Sequence, residues 1–231
     1  MSQITLEGPV VPAASGTTKS IVIFLHGFGA DGSDLIGLAP ELAPALPDTV
    51  FYSPNAPHPC EMSPFGRQWF SLASYDPEFL RRDAHTMPTA LKALAEGARE
   101  NTASLAGFID EALMQHQLDA GKLALVGFSQ GTMMALQLGP RYPQPLAGIV
   151  GFSGALLGHD TLAPEIVSRP PITLIHGSAD PVVPVQASHM AQSVLAENGF
   201  DVSLHERPGL PHGIDGEGLA IAAKFLKQHL S

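Results

Sequence analysis

Residues 124–135 read ALVGFSQGTMMA and place Ser129 between two glycines where an apolar run gives way to a helical pattern. The run at 122–128 is typical of a strand buried on both faces, and the pattern at 130–142, before Pro143, is typical of a helix. A G-x-S-x-G sequence at such a strand–helix junction predicts a nucleophile elbow. We expect glycines at 127 and 131 because a Cβ there would strike the neighbouring strand or helix. Elsewhere G-x-S-x-G also occurs by chance as ordinary turn sequence, and the flanking elements favour the elbow.

The rest of the chain alternates short aliphatic runs with helical patterns. Strands are predicted at 21–25, 49–53, 122–128, 146–152, 172–175 and 202–205. Helices are predicted at 33–42, at 89–117 with a break near Gly97, and at 130–142, 185–197 and 217–229. This alternation predicts an α/β fold with a mainly parallel sheet covered by helices on both faces. At 231 residues we expect one domain over 1–231 without a separate lid domain.

A serine nucleophile needs a general base and a third group that orients the base. In this kind of sheet the acid and then the histidine follow later strands. Asp180 follows the strand 172–175, and His212 lies on a Gly/Pro-rich loop after the strand 202–205. Asp215 is the competing acid. Among ten histidines, His205 within a strand and His176 directly after one are interpreted as packed residues.

A tetrahedral intermediate also needs backbone N–H groups directed at its oxyanion. The first is predicted at Gln130, the residue after the serine and the first of the following helix. The glycine-rich turn at 25–32, LHGFGADG, leaves an early strand and predicts the Phe28 amide as the second.

Composition excludes several other functions. Twelve basic residues against 22 acidic ones give a net charge of −10, which argues against nucleic-acid binding. Cys60 is the only cysteine and no HExxH pattern occurs, so we expect no disulfide, no metal site and no cofactor. Neither a secretory signal nor an apolar run of membrane-spanning length is visible, which predicts a cytoplasmic protein without stable membrane insertion.

Four motifs resemble the phospholipase/carboxylesterase family of α/β-hydrolases, which includes the acyl-protein thioesterases. They are LHGFGADG at 25–32, GFSQG at 127–131, HGSADPVVP at 176–184 and GLPHGI at 209–214. The resemblance implies an α/β-hydrolase fold, a triad of Ser129, Asp180 and His212, and an oxyanion hole from the amides of Phe28 and Gln130. It also implies that Val182 and Trp69 face the acyl pocket.

The irregular segment 54–80 has five prolines and the aromatic residues Phe65, Trp69 and Phe70. We expect a packing role for these aromatics, either sealing the edge of the sheet or walling an acyl slot.

The sequence therefore predicts a cofactor-free serine carboxylesterase that hydrolyses short- to medium-chain esters through an acyl-enzyme. The alternative is an acyl-protein thioesterase or a lysophospholipase. A non-catalytic binding module is disfavoured by the intact Ser, Asp and His set. The expected partner is a small-molecule ester or thioester, and a homodimer is left open.

Overall fold

A computed structural model describes residues 5–73 and 87–230. Its strands are β1 (Val10–Val11), β2 (Ser20–Leu25), β3 (Thr49–Tyr52), β4 (His58–Pro59), β5 (Arg67–Gln68), β6 (Leu123–Phe128), β7 (Gly148–Phe152), β8 (Ile172–Gly177) and β9 (Val202–Arg207). Seven of them form one sheet in the order β1-β3-β2-β6-β7-β8-β9, and β4 pairs with β5. In the seven-stranded sheet only β1 runs antiparallel to its neighbour. The prediction of a mainly parallel α/β sheet is confirmed.

Helices cover both faces of this sheet. They are α1 (Gly32–Ile36), α2 (Ala39–Leu42), α3 (Met87–Glu100), α4 (Thr102–His116), α5 (Gln130–Leu138), α6 (His159–Glu165), α7 (Gln186–Glu197) and α8 (Gly216–Leu230). One core cluster contains side chains of α3 to α7, and the other contains side chains of α1, α2 and α8. Successive residues of β2 alternate between the two clusters, which explains why the strand is apolar at every position from Ile21 to Leu25.

The predicted break near Gly97 lies four residues later in the structure. Helix α3 continues through Gly97 to Glu100, and Asn101 separates it from α4. A Cβ at position 97 would lie 3.1 Å from the Phe70 side chain, so this glycine allows a close approach of helix and loop. The Asn101 side chain ends α3 instead, since its Nδ2 donates to the Gly97 carbonyl at 2.9 Å.

Other boundaries also differ from the predictions. The helical pattern at 33–42 forms two short helices, and Pro40 lies at the start of the second. Helix α5 ends at Leu138, and a 3₁₀ turn containing Pro140 follows it. The short elements β1, β4, β5 and α6 were not predicted, because segments of two to seven residues carry too little periodicity.

The aromatic residues of the segment 54–80 divide into two environments. Trp69 and Phe70 are buried, which agrees with the packing role predicted for them. Phe65 lies between the paired strands β4 and β5 and is 91% exposed, so the packing role predicted for it is wrong. Residues 74–80 of the segment lie outside the described residues.

The sheet brings the segments that follow its parallel strands to one edge. Strands β2, β6, β7, β8 and β9 run parallel within it, so the segments that follow their carboxyl ends lie on the same side. Among residues 5–73 and 87–230, no helix is long and apolar enough to span a bilayer.

Candidate active site

Ser129 occupies a strained turn between β6 and α5. Its φ and ψ angles are 53° and −116°, and positive φ is rare outside glycine. Such strain costs about 1–3 kcal/mol and persists only where the surroundings enforce it. Here the Ser129 N–H donates to the Phe152 carbonyl at 2.9 Å, and the Ser129 carbonyl accepts from Met133 N–H at 3.2 Å.

The glycines on either side of the serine are sterically required. A Cβ at position 127 would lie 2.5 Å from the Thr132 nitrogen, on the following helix. A Cβ at position 131 would lie 1.8 Å from the Leu25 carbonyl oxygen, at the end of β2. The prediction that a Cβ at either position strikes a neighbouring strand or helix is confirmed.

Asp180 and His212 are directly hydrogen-bonded. His212 Nδ1 lies 2.6 Å from Asp180 Oδ2. The other carboxylate oxygen, Oδ1, accepts from the N–H groups of Val182 at 2.8 Å and Val183 at 2.9 Å. Burial by itself would raise the pKa of Asp180, but the hydrogen bonds from His212, Val183 and Val182 outweigh it and lower that pKa below its ordinary value. The carboxylate is therefore ionised at neutral pH and can only accept.

Two loops are joined so that these residues meet. The turn after β8 and the loop after β9 share the bonds Ser178 N–H to Arg207 O at 3.0 Å and Ala179 N–H to Leu210 O at 3.1 Å. The Ser178 hydroxyl accepts from Gly209 N–H at 2.9 Å. Since β8 and β9 are neighbours in the sheet, this connection places the residue that follows one strand beside the residue that follows the other.

Asp215, the competing acid, is hydrogen-bonded to Arg207 and to the start of α8. Asp215 accepts from Arg207 Nε at 3.0 Å and from Gly218 N–H at 2.7 Å, in the first turn of α8. These contacts stabilise the start of the helix, and hydrogen bonds from Gly218 and Arg207 lower the pKa of Asp215 against the opposing effect of burial.

His176 contacts the same carboxylate, a feature that sequence reasoning missed. It is 1% exposed, as the packed interpretation predicts, and its Nε2 lies 2.8 Å from the Val183 carbonyl and 3.3 Å from Asp180 Oδ2. The Val183 carbonyl can only accept, so Nε2 carries the proton and Nδ1 accepts from Ser188 Oγ at 2.7 Å in the neutral ring. The signal available was its position four residues before Asp180, at the end of a buried strand.

The glycine-rich turn after β2 approaches the serine. A Cβ at position 27 would lie 3.5 Å from the Ser129 Cβ. The amides of Gly29 and Ala30 donate to Arg67 O and Gly27 O. Within the described part of the chain, Phe28 N–H has no hydrogen-bond partner, so it remains available to a ligand.

A cavity of about 380 Å³ lies beside the candidate nucleophile and base. Ser129, His212, Phe28, Gln130 and Val182 all line it. The remaining lining is mostly apolar and consists of Gly27, Leu72, Leu91, Leu94, Phe128, Met133, Ala155, Leu156, Leu157, Gly158, His159, Val183, Pro184, Ala187 and Met190. An apolar cavity with a few converging polar groups is the usual form of a small-molecule site.

Trp69 does not line this cavity, and its predicted position is corrected. The side chain is fully buried, and its Nε1–H donates to the His26 carbonyl at 2.9 Å. A buried indole N–H requires an acceptor, and the end of β2 provides it. The indole therefore packs behind the glycine-rich turn.

No cluster of three or more potential metal ligands occurs among residues 5–73 and 87–230. The cavity contains a hydroxyl, an imidazole and backbone amides, which are the groups of acyl-transfer chemistry.

Comparisons with known proteins show the family to which the chain belongs. A sequence profile described as phospholipase/carboxylesterase matches residues 6–230. The chain is 28% identical to the esterase YpfH of Escherichia coli, over 94% of this chain and 86% of that protein. It is 30% identical to an acyl-protein thioesterase 1 of Gibberella zeae, over 100% of this chain and 98% of that protein. The crystal structure of esterase PE8 superposes with a TM-score of 0.90 at 41% identity and covers 98% of this chain and 100% of that one. The chain therefore belongs to the phospholipase/carboxylesterase family of α/β-hydrolases.

Proposed function

We propose that the protein hydrolyses carboxylic esters through an acyl-enzyme on Ser129, with His212 as general base and acid and Asp180 as the group that orients the imidazole. The observation that carries this proposal is the 2.6 Å hydrogen bond between His212 Nδ1 and Asp180 Oδ2, beside a cavity that Ser129 and His212 both line.

The protonation states follow from the partners of each atom. Asp180 is ionised, so His212 Nδ1 carries the proton of their hydrogen bond and Nε2 keeps its lone pair. Nε2 can then accept the Ser129 proton while the serine oxygen attacks the carbonyl carbon. The imidazolium formed in this step is stabilised by the adjacent carboxylate.

The tetrahedral intermediate develops negative charge on the former carbonyl oxygen, and the amides of Phe28 and Gln130 are the proposed donors to it. Collapse of the intermediate breaks the bond to the alcohol, which takes the proton from His212 Nε2. Water then attacks the carbonyl carbon of the acyl-enzyme and gives a proton to His212 Nε2. Collapse of this second tetrahedral intermediate breaks the bond to the Ser129 oxygen, which regains the proton from His212, and the carboxylic acid leaves.

The proposed substrate has a short- to medium-chain acyl group. The cavity walls carry apolar side chains from α3 and α7 and from the segment 155–157, which suit a hydrocarbon chain. Each buried methylene contributes about 0.8 kcal/mol, so kcat/KM should rise several-fold per carbon until the cavity is filled.

A second candidate is an acyl-protein thioesterase or lysophospholipase activity. Leu91, Val182 and Met190 line the cavity and are 38%, 56% and 42% exposed, which gives it an apolar mouth along which a longer chain could lie. Several relatives of similar length are named acyl-protein thioesterase 1.

A chain-length panel of esters and matching thioesters, from acetyl to palmitoyl, decides between them. We expect an optimum near C4–C8, and an organophosphonate probe should label Ser129 alone. Ser129→Ala serves as the blank and should lose about 10⁴–10⁶-fold in kcat. A tenfold or greater preference for palmitoyl over butyryl substrates would favour the second candidate, and labelling of another serine would overturn the assignment.

We also propose a cytoplasmic location. Cys60 is the only cysteine, is buried and forms no disulfide, which supports this location because disulfides are rare in cytosolic proteins. A homodimer is a further proposal that sedimentation of the purified protein would test.

A further inference from the structure

The two candidate oxyanion donors belong to segments that are distant in the sequence. Phe28 lies in the turn at 26–30, whereas Gln130 begins α5. The turn contains Gly27 and Gly29, and Gly29 has a φ of 81°, so its own sequence restrains it little. Misplacement of such a donor by 1 Å can cost a rate on the order of 10²-fold. The turn must therefore be held from outside.

Backbone contacts with residues 66–67 hold one side of the turn. Gly29 N–H donates to Arg67 O at 2.9 Å, and Arg67 N–H donates to Ala30 O at 2.7 Å. A Cβ at Gly66 would lie 2.1 Å from the Gly29 carbonyl oxygen, so the two backbones are in direct contact. Residues 29–30 of the turn therefore pair with Arg67 through backbone hydrogen bonds, as neighbouring strands do.

The Trp69 indole holds the start of the turn. Its Nε1–H donates to the His26 carbonyl at 2.9 Å, and the indole and imidazole rings lie 5.6 Å apart. Both side chains are 0% exposed, so this hydrogen bond does not compete with water.

The Gln130 side chain connects the same segment to the elbow. Its Oε1 accepts from Trp69 N–H at 2.9 Å, and its Nε2 donates to Phe70 O at 2.8 Å. The residue is 2% exposed, and both ends of its carboxamide are satisfied by the backbone of residues 69 and 70. Gln130, whose backbone amide is a proposed oxyanion donor, therefore also binds the aromatic segment at 69–70 with its side chain.

We infer that the Gln130 carboxamide and the Trp69 indole are positioning groups that fix the Phe28 amide relative to the Gln130 amide. The connection runs from the elbow through Gln130 to Trp69 and from there to the His26 carbonyl and the turn. We call these two side-chain groups, with their three hydrogen bonds, the brace. This inference rests on the proposed function. It adds two side-chain groups, the Gln130 carboxamide and the Trp69 indole, that contact no substrate atom. Loss of the brace should lower kcat and leave KM little changed, because only the oxyanion of the transition state depends on both donors.

The test compares Gln130→Met and Trp69→Phe with the control Gln68→Met. Gln130→Met keeps the backbone amide and side-chain length, and Trp69→Phe keeps an aromatic ring without N–H. Gln68 is also a buried glutamine, but its Oε1 accepts from Glu61 N–H, outside the brace. Each variant is assayed for kcat and KM on a butyrate ester and for inhibition by a trifluoromethyl ketone, which forms a tetrahedral adduct.

We expect kcat to fall on the order of 10²-fold in both brace variants, with a matching loss of affinity for the ketone and KM within about threefold. The control should remain within about threefold of the wild-type protein in all three quantities. A brace variant with wild-type kcat, or a KM increase as large as the loss of kcat/KM, would overturn the inference. Should Gln130→Met fail to fold, Gln130→Asn carries the same test, since its carboxamide is one methylene shorter and cannot keep both contacts with residues 69 and 70.

A readout without turnover separates this inference from the proposed function. Trp69 is the only tryptophan, so its fluorescence reports on the brace directly. Acrylamide should quench it poorly in the wild type and in Gln68→Met, and markedly better in the Gln130 variants. Equal quenching in the wild type, in Gln68→Met and in the folded Gln130 variant would overturn the brace. Absence of ester and thioester hydrolysis by the wild type would instead overturn the proposed function, and quenching would still decide the brace.

Discussion

Individual side chains at the cavity are held by contacts that leave them little freedom. Asp180 has both oxygens occupied, Oδ1 by two backbone N–H groups and Oδ2 by His212 Nδ1. The His176 ring is hydrogen-bonded to the Val183 carbonyl and to the Ser188 hydroxyl, and these bonds stabilise the turn that contains Asp180. A carboxylate fixed in this way can orient an imidazole without reorganising during the reaction.

Replacement of single histidines should separate the base from its neighbours. His212→Ala should lose activity nearly as completely as a nucleophile variant, because no other group takes the Ser129 proton. His205→Ala removes a side chain of β9 that has no place in the proposed mechanism and should keep wild-type kcat. Comparable activity in the two variants would contradict the assignment of His212.

Packing between elements determines where the nucleophile can lie. The elbow is closed by the contact of α5 with the end of β2, where Gly131 meets the Leu25 carbonyl. The aromatic segment at 69–70 lies between the elbow and the turn at 26–30, joined to both by hydrogen bonds. The elbow, this segment and the turn thus form one packed unit.

Glycine substitution should test this packing. Gly131→Ala places a Cβ 1.8 Å from a backbone carbonyl that cannot move without disturbing the pairing of β2 with β6. We expect a loss of about 4 kcal/mol or more in the free energy of unfolding, equal to roughly 8–16 °C in Tm. The matched control is Gly121→Ala, where the added methyl meets open space and the change should stay within about 0.5 kcal/mol. Thermal unfolding measures both, and equal Tm values would show that the elbow tolerates a side chain.

Ionisable groups inside the protein make the stability of the whole molecule depend on pH. Burial lowers the pKa of His26, whose Nε2 accepts from Ala56 N–H at 3.0 Å. The unfolded chain binds a proton there near pH 6.5, and the folded chain binds it only at lower pH. Hydrogen bonds lower the pKa of Asp180 in the same direction. For both groups the stabilisation is present above the unfolded pKa and is lost as the pH falls through the folded pKa.

Unfolding measured against pH should therefore show two regions of declining stability. The first begins below about pH 6.5 and reflects His26, and the second begins below about pH 4 and includes Asp180. His26→Gln should remove the first decline, whereas His159→Gln, at an exposed position, should leave it unchanged. Urea unfolding at intervals from pH 3 to pH 8 measures both. An unchanged first decline in His26→Gln would assign it to another group.

The sequence by itself determined the alternation of strands and helices, the elbow, and the order of Ser129, Asp180 and His212. These features depend on local periodicity and on residues that follow a strand within a few positions, so a single sequence carries them. The tertiary structure alone decided that Trp69 packs behind the turn and that the Gln130 side chain binds the segment at 69–70. Trp69 and Gln130 are 61 positions apart, and the meeting of His176 with Asp180 depends on how a turn folds back on its strand. The contacts of Gln130 with residues 69 and 70 arise from the packing of a loop against the sheet, which no local pattern encodes, since aromatic and amide side chains are compatible with many partners.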